Sequence, residues 1–178
     1  MTTTHRSELI LGGAKSGKSR RALALGQEWR GPVAFLATAE PLDAHMRARI
    51  ARHQAERPRG WTTVEEPLDI AAACRRLAGR HDVAIIDCLT LWVSNRMLRG
   101  DADEATLAAA DDLVKVMSER VLSLIVVSNE VGEGVVPATE SGVRFRDLLG
   151  SVNQRVAAAA DRVTLMVAGI PVSIKDPR

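Results

Sequence analysis

Gly12-Gly13-Ala14-Lys15-Ser16-Gly17-Lys18-Ser19 constrains this chain more than any other segment. It reads G-x-x-x-x-G-K-S, the complete pattern of a phosphate-binding loop. Its context fits the pattern. Leu9–Leu11 before it is a short apolar run suited to a buried strand, and Ser19–Trp29 after it has the pattern of a helix. Strand, glycine loop and helix together make an anion cradle: the glycines let backbone N–H groups turn inward, and the helix N-terminus adds partial positive charge. In such a loop Lys18 reaches the β- and γ-phosphates of a nucleotide, and the Ser19 hydroxyl is placed to ligate Mg²⁺.

Apolar runs alternate with helical patterns along the rest of the chain. Strands are expected at Val33–Ala37, Val83–Ile86, Leu124–Val127, Val163–Val167 and Val172–Ile174. Helices are expected over Asp43–Arg57, Pro67–Arg80, Leu89–Leu98, Glu104–Arg120 and Ser141–Ala160. Continuous apolar strands separated by helices predict a mainly parallel sheet covered on both faces. Only Ala168, Gly169, Ile170 and Pro171 separate the last two strands, so they are expected to pair as an antiparallel hairpin. The 178 residues predict one nucleotide-binding domain, with 1–7 frayed and too short and polar for a signal peptide.

A net charge of +2 argues against nucleic acid or an anionic membrane as partner, and no apolar run is long enough to span a bilayer. Cys74 and Cys88 lie in apolar surroundings and read as reduced thiols of a cytoplasmic protein.

Val83-Ala84-Ile85-Ile86-Asp87 ends in a carboxylate, as the second strand of a phosphate-loop site does. Asp87 can hold Mg²⁺ opposite Ser19, or cap the helix that follows. Glu40 and Glu130, also at expected strand ends, are rivals for the metal role. A second unusual feature is the basic segment Met46–Arg57. On a helix, Arg49, His53 and Arg57 are four apart and share a face. Two guanidiniums beside one imidazole disfavour its protonation and can clamp a phosphate, which suits a histidine that carries a nucleotidyl group. A solvated basic face is the competing reading. His5, His45 and His81 lack such a setting and read as surface residues.

Taken with Asn129-Glu130-Val131-Gly132, Gly134-Val135-Val136-Pro137, Phe145-Arg146-Asp147, Gly150 and Asn153-Gln154, these residues resemble one family over nearly the whole chain. It is the bifunctional adenosylcobinamide kinase / adenosylcobinamide-phosphate guanylyltransferase family of cobalamin biosynthesis. Asp87-Cys88-Leu89-Thr90-Leu91-Trp92, Trp61 and Glu65 belong to the same likeness. The phosphate loop is shared by many nucleotide enzymes; the Asn-Glu-Val-Gly and Phe-Arg-Asp blocks are more specific.

The resemblance implies an α/β fold of the P-loop NTPase, RecA-like kind, and a cytoplasmic homotrimer. Its substrates would be GTP, ATP, adenosylcobinamide and adenosylcobinamide phosphate, with Mg²⁺. It implies a covalent GMP on His53, with Lys18 as the second catalytic residue. Nucleotide contacts would come from Gly12, Gly13, Ala14, Lys15, Ser16, Gly17, Lys18 and Ser19, then Thr38, Ala39 and Glu40. Gln54, Ala55, Glu56, Arg57, Glu65 and Asp87 would complete them, with Ser19 and Asp87 at the metal. Trp61 and Trp92 are candidates for the corrinoid pocket beside a core-packing role. The Asn129–Gln154 blocks divide evenly between site and scaffold. A P-loop kinase of another hydroxylated metabolite and a nucleotide-dependent switch stand as alternatives.

Overall fold

A computed structural model describes residues 5–177. The chain alternates strands and helices in the order β1 (Ser7–Gly12), α1 (Lys18–Gln27), β2 (Val33–Ala37), α2 (Ala44–Ala55), β3 (Thr62–Glu65), α3 (Ile70–Leu77) and β4 (Val83–Asp87). It continues through α4 (Leu89–Leu98), α5 (Asp103–Glu119), β5 (Ser123–Val127), α6 (Glu140–Ala159), β6 (Arg162–Val167) and β7 (Ile170–Lys175). One seven-stranded sheet carries the order β3-β2-β4-β5-β1-β6-β7. Every pairing is parallel except β6 with β7.

Alternate residues of the central strands feed two cores, as the two-residue period of a strand requires. Leu9, Ala34, Leu36, Ala84, Ile86, Leu124 and Val126 face one side, where α3, α4, α5 and α6 pack. Ile10, Val33, Phe35, Val83, Ile85, Ile125 and Val127 face the other, beneath Ala22 and Leu23 of α1. The expected two-sided parallel sheet and its terminal hairpin are both present.

The chain leaves β1 and returns as β2 three places away, with β5 and β4 between. The register Ile10↔Val127↔Asp87 sets the end of β4 two strands from the phosphate loop. At strand spacing that is about 10 Å. All these ends lie on the carboxyl edge of the sheet, where open α/β sheets bind ligands.

Three expectations change. Thr62–Glu65 is an edge strand with mostly exposed residues, so it carries no apolar run to announce it. The helix expected at Pro67 begins at Ile70. Ser7, expected to be frayed, starts β1 and is buried; its N–H and hydroxyl both donate to Asp161 at 2.8 and 3.1 Å. Arg6 and His5 are held as well, Arg6 N–H by Ser123 Oγ and the His5 carbonyl by Arg120. Residues 1–4 of that expectation lie outside the described ones.

Candidate nucleotide-binding active site

The phosphate loop is shaped by its glycines and by the hairpin behind it. Gly12 has φ +147°, and a Cβ there would sit 2.6 Å from the Met166 carbonyl oxygen. Gly17, with φ 101°, is the residue from which α1 springs. The turn between β6 and β7 braces the loop from outside: Gly169 N–H donates to the Ser16 carbonyl at 2.9 Å. That support was missed in the sequence, because nothing local links residue 169 to residue 16.

Lys18 is buried, and its ammonium donates to the Gly13 carbonyl at 2.6 Å. Burial lowers its pKa; the nearby Asp87 carboxylate opposes the shift and the Arg49 guanidinium adds to it. Asp87 of β4 and Arg49 of α2 therefore both act on the charge of Lys18 in α1.

One cleft collects the chemistry. Ser19, Ala39, Arg49, His53, Arg57, Glu65 and Asp87 all line it. Asp43 caps α2 by accepting from Met46 N–H at 2.6 Å, which fixes the start of the helix carrying Arg49 and His53. Arg57 lies beyond the end of α2, not on its face as expected, yet reaches the same cleft. Its guanidinium stacks 3.9 Å over the Phe35 ring and donates to Thr63 Oγ1 at 3.3 Å. Burial lowers its pKa, with Asp87 and Glu65 opposing. A guanidinium stays charged through such a shift. Its Nε is buried with no partner, so a donor stands ready for an acceptor.

Asp87 caps nothing. The N-cap of α4 is Cys88, without a side-chain bond, and Asp87 faces the cleft. Of its rivals, Glu40 forms an ion pair with Arg99 at 2.8 Å, and Glu130 accepts from Gly132 N–H at 2.7 Å. Among the described residues no three His, Cys, Asp or Glu side chains cluster as a metal cage. One hydroxyl and one carboxylate on a common cleft instead fit a hard cation that takes its other ligands from water and phosphate oxygens.

Several residues expected to contact the nucleotide do not line this cleft. Thr38 is fully buried, and its hydroxyl both donates to the Cys88 carbonyl and accepts from the Cys88 N–H, each at 2.8 Å. It ties β2 to the residue after Asp87. Ala55 and Glu56 are exposed and do not line the cleft, nor does Glu40. Gln54 donates to Glu65 at 3.2 Å, joining α2 to β3. Trp92 is in the core, its indole N–H bonded to the Leu68 carbonyl at 2.7 Å, so it is unavailable to a corrinoid. Trp61 packs on α1 beside Gly26. Asn153 is scaffold: buried, it accepts from Ser128 Oγ at 2.7 Å and donates to the Asn129 carbonyl at 3.0 Å. His81 bonds Thr62 Oγ1 at 3.0 Å and has a structural place. The His45 side chain lies outside the described residues. Phe35, Met46, Ile50 and Leu91 supply an apolar wall that the sequence did not mark out.

Besides the carboxylates of Glu65 and Asp87, the cleft holds a hydroxyl, an imidazole and a thiol that could attack phosphorus: Ser19, His53 and Cys88. Burial and the adjacent Asp87 push the Cys88 thiol up to about 11, so it is protonated at neutral pH and a poor nucleophile. Ser19 sits in the phosphate loop. His53 brings the imidazole.

A family model described as "Cobinamide kinase / cobinamide phosphate guanyltransferase" matches residues 8–174. The chain belongs to this family. It is 43% identical over 168 residues to the bifunctional adenosylcobalamin biosynthesis protein CobP of Pseudomonas aeruginosa, covering 94% of this chain and 96% of that one. Against CobU of Escherichia coli, a protein of the same description, identity is 37% over 179 residues, covering 94% and 98%. Among solved structures, a KaiC-like protein from Pyrococcus horikoshii superposes with a TM-score of 0.51 at 14% identity, over 90% of this chain and 70% of that one. That likeness shows the fold alone, the α/β architecture with a mainly parallel sheet that was expected.

Proposed function

We propose that this member of the cobinamide kinase/guanyltransferase family performs both reactions in the one cleft. The observation that carries this reading is that His53 and Ser19, from α2 and α1, line the same cavity as Asp87 at the end of β4. A nucleotide lying there has its phosphates within reach of both.

In the kinase reaction the terminal hydroxyl oxygen of the aminopropanol arm of adenosylcobinamide attacks the γ-phosphorus of ATP or GTP. The bond to the β–γ bridging oxygen breaks, the nucleoside diphosphate leaves, and the hydroxyl proton passes to solvent. Lys18 and the loop N–H groups stabilise the charge that moves onto the leaving oxygens. Ser19 and Asp87 would hold Mg²⁺, which neutralises charge shared between the phosphates.

In the transfer reaction a ring nitrogen of His53 attacks the α-phosphorus of GTP, and pyrophosphate leaves. A phosphate oxygen of adenosylcobinamide phosphate then attacks the same phosphorus, and the P–N bond breaks. The product is adenosylcobinamide-GDP. Arg49 and Arg57 flank His53 and supply guanidiniums to the α-phosphate. Dividing one displacement into two in this way gives ping-pong kinetics for the transfer. Gln54 and Glu65, bonded to each other at the mouth of the cleft, would meet the nucleoside.

The His53→Ala variant tests the division of labour. Guanylyl transfer falls to background and phosphorylation of adenosylcobinamide persists. Equal loss of both activities in a folded variant refutes the separate roles. By resemblance the protein works as a cytoplasmic homotrimer. None of its described helices is long and apolar enough to cross a membrane.

A further inference from the structure

The block Asn129-Glu130-Val131-Gly132, prominent in the sequence, has no part in the chemistry above. It follows β5, the strand between β4, which ends in Asp87, and β1, which runs into the phosphate loop. The ladder between β5 and β1 continues past the last residue of the strand. Ser128 N–H donates to the Ile10 carbonyl at 3.0 Å, and Glu130 N–H to the Gly12 carbonyl at 3.1 Å. Donors two residues apart on acceptors two residues apart are the pattern of a parallel pair, so the backbone stays extended through Glu130. Asn129, between these donors, turns its own N–H the other way, where Thr90 Oγ1 accepts it at 2.8 Å. Its carbonyl accepts from Asn153 at 3.0 Å. The Asn129 backbone is therefore fixed on both sides.

Its side chain is left free at a chosen place. Val127 is level with both Ile10 and Asp87, so Asn129, two residues on, is level with Gly12. Ser128 Oγ reaches Asn153 of α6, on the face of the sheet that α6 covers. Successive side chains of an extended chain point to opposite faces, so Asn129 points to the other one. That face carries Ile125 and Val127 of β5, Ile85 and then Asp87 of β4, and α1. The Asn129 side chain is half-buried, and among the described residues its amide makes no hydrogen bond. The neighbouring Glu130 carboxylate is turned away, onto Gly132 N–H at 2.7 Å.

We propose that the side-chain amide of Asn129 donates a hydrogen bond to the γ-phosphate of the nucleotide in the phosphate loop. This rests on the function proposed above and names the group by which the site tells a triphosphate from a diphosphate. Three observations select the γ-phosphate. The Lys18 ammonium, which meets the β- and γ-phosphates, rests on the Gly13 carbonyl, next to the Gly12 with which Asn129 is level. Asp87, one strand away, would hold the cation that bridges β- and γ-oxygens. The α-phosphate belongs with His53, on the far side of Asp87: its helix is tied to β3 through Gln54 and Glu65, and Arg57 stacks on Phe35 of β2. An amide N–H₂ donates to a phosphate oxygen without adding charge, and a donor held by a rigid backbone loses little freedom when it binds.

The test is equilibrium binding of the α,β-methylene analogues of GTP and GDP, which His53 cannot cleave, with Mg²⁺. The proteins are the unmodified chain, Asn129→Ala and Asn129→Asp. Both clamps act on the Asn129 backbone, so both variants are expected to keep the urea midpoint of the parent. Asn129→Ala is expected to weaken the triphosphate analogue by about tenfold or more and to leave the diphosphate analogue within about twofold. Asn129→Asp keeps the shape, replaces the donor by a like charge and is expected to lose at least as much, again for the triphosphate alone. Unchanged triphosphate affinity in both variants overturns the proposal. An equal loss for the two analogues also overturns it: at an unchanged midpoint Asn129 serves another part of the nucleotide, and at a lowered midpoint it is scaffold. Failure of the unmodified protein to bind either analogue refutes the proposed function and this inference with it, whereas an effect confined to the variants is read on Asn129 alone.

Discussion

Replacing Thr38 by valine is expected to unfold this protein more readily while leaving no ligand contact missing. The hydroxyl is fully buried and makes two hydrogen bonds of 2.8 Å, one to the Cys88 carbonyl and one from the Cys88 N–H. Valine has nearly the same shape and opens little cavity. It strands the buried Cys88 N–H, at about 1–3 kcal/mol, while the Cys88 carbonyl keeps its bond from the Trp92 N–H at 3.1 Å. That cost is a sizeable part of the roughly 5–15 kcal/mol that holds an ordinary domain together. With a urea slope of about 2 kcal/mol per molar, the unfolding midpoint falls by roughly 0.5–1.5 M. Thr38→Ser keeps both bonds, loses one methyl and shifts the midpoint by less than half as much. Urea unfolding followed by circular dichroism reads all three proteins. If Thr38→Val unfolds at the same urea concentration as the parent but binds GTP poorly, the hydroxyl is a nucleotide contact and the reasoning fails.

Three further outcomes are expected. Lys18→Ala removes the buried ammonium that is to meet the phosphates, so the Kd for GTP rises at least about tenfold in a binding titration; unchanged affinity and activity count against the loop's role. Asn153→Ala cuts the bonds to Ser128 and Asn129 and costs about 2–4 kcal/mol in urea unfolding, with the KM for GTP unchanged; a raised KM at full stability moves Asn153 from scaffold to site. Asp161→Asn has a pH-dependent effect. Hydrogen bonds from Arg120, followed by those from Ser7, hold the Asp161 carboxyl below the usual carboxylate range. A depressed folded value adds stability above the ordinary pKa of about 3.9 and loses it as pH falls through the folded value. The variant is therefore less stable than the parent at neutral pH, by about 2 kcal/mol, and the gap closes below about pH 4; a constant gap across that range contradicts the assignment.

What the sequence disclosed follows from how local each signal is. Gly12–Ser19 is one contiguous motif flanked by its own strand and helix, so both loop and fold class were legible. The central strands were legible because each is buried on two faces and reads as an unbroken apolar run. Strand β3 was not, because an exposed edge needs no such run. At the site, His53 stood out through its flanking arginines, and the cleft brings Arg49, His53 and Arg57 together even though Arg57 has left the helix. The places of Thr38 and Glu40 were invisible, since their partners Cys88 and Arg99 are 50 and 59 residues away. Pairings at that range come from sheet order, with β2 beside β4, and no local pattern encodes them.

The most direct measurement is to incubate the protein with Mg²⁺ and GTP radiolabelled at the α-phosphate, without corrinoid, then denature it and map any labelled peptide. The predicted result is an acid-labile, base-stable label on His53, lost in His53→Ala and discharged by adenosylcobinamide phosphate before denaturation. GTP binding that depends on Lys18 but leaves no covalent label would contradict the guanylyl-transfer chemistry and leave a P-loop kinase alone.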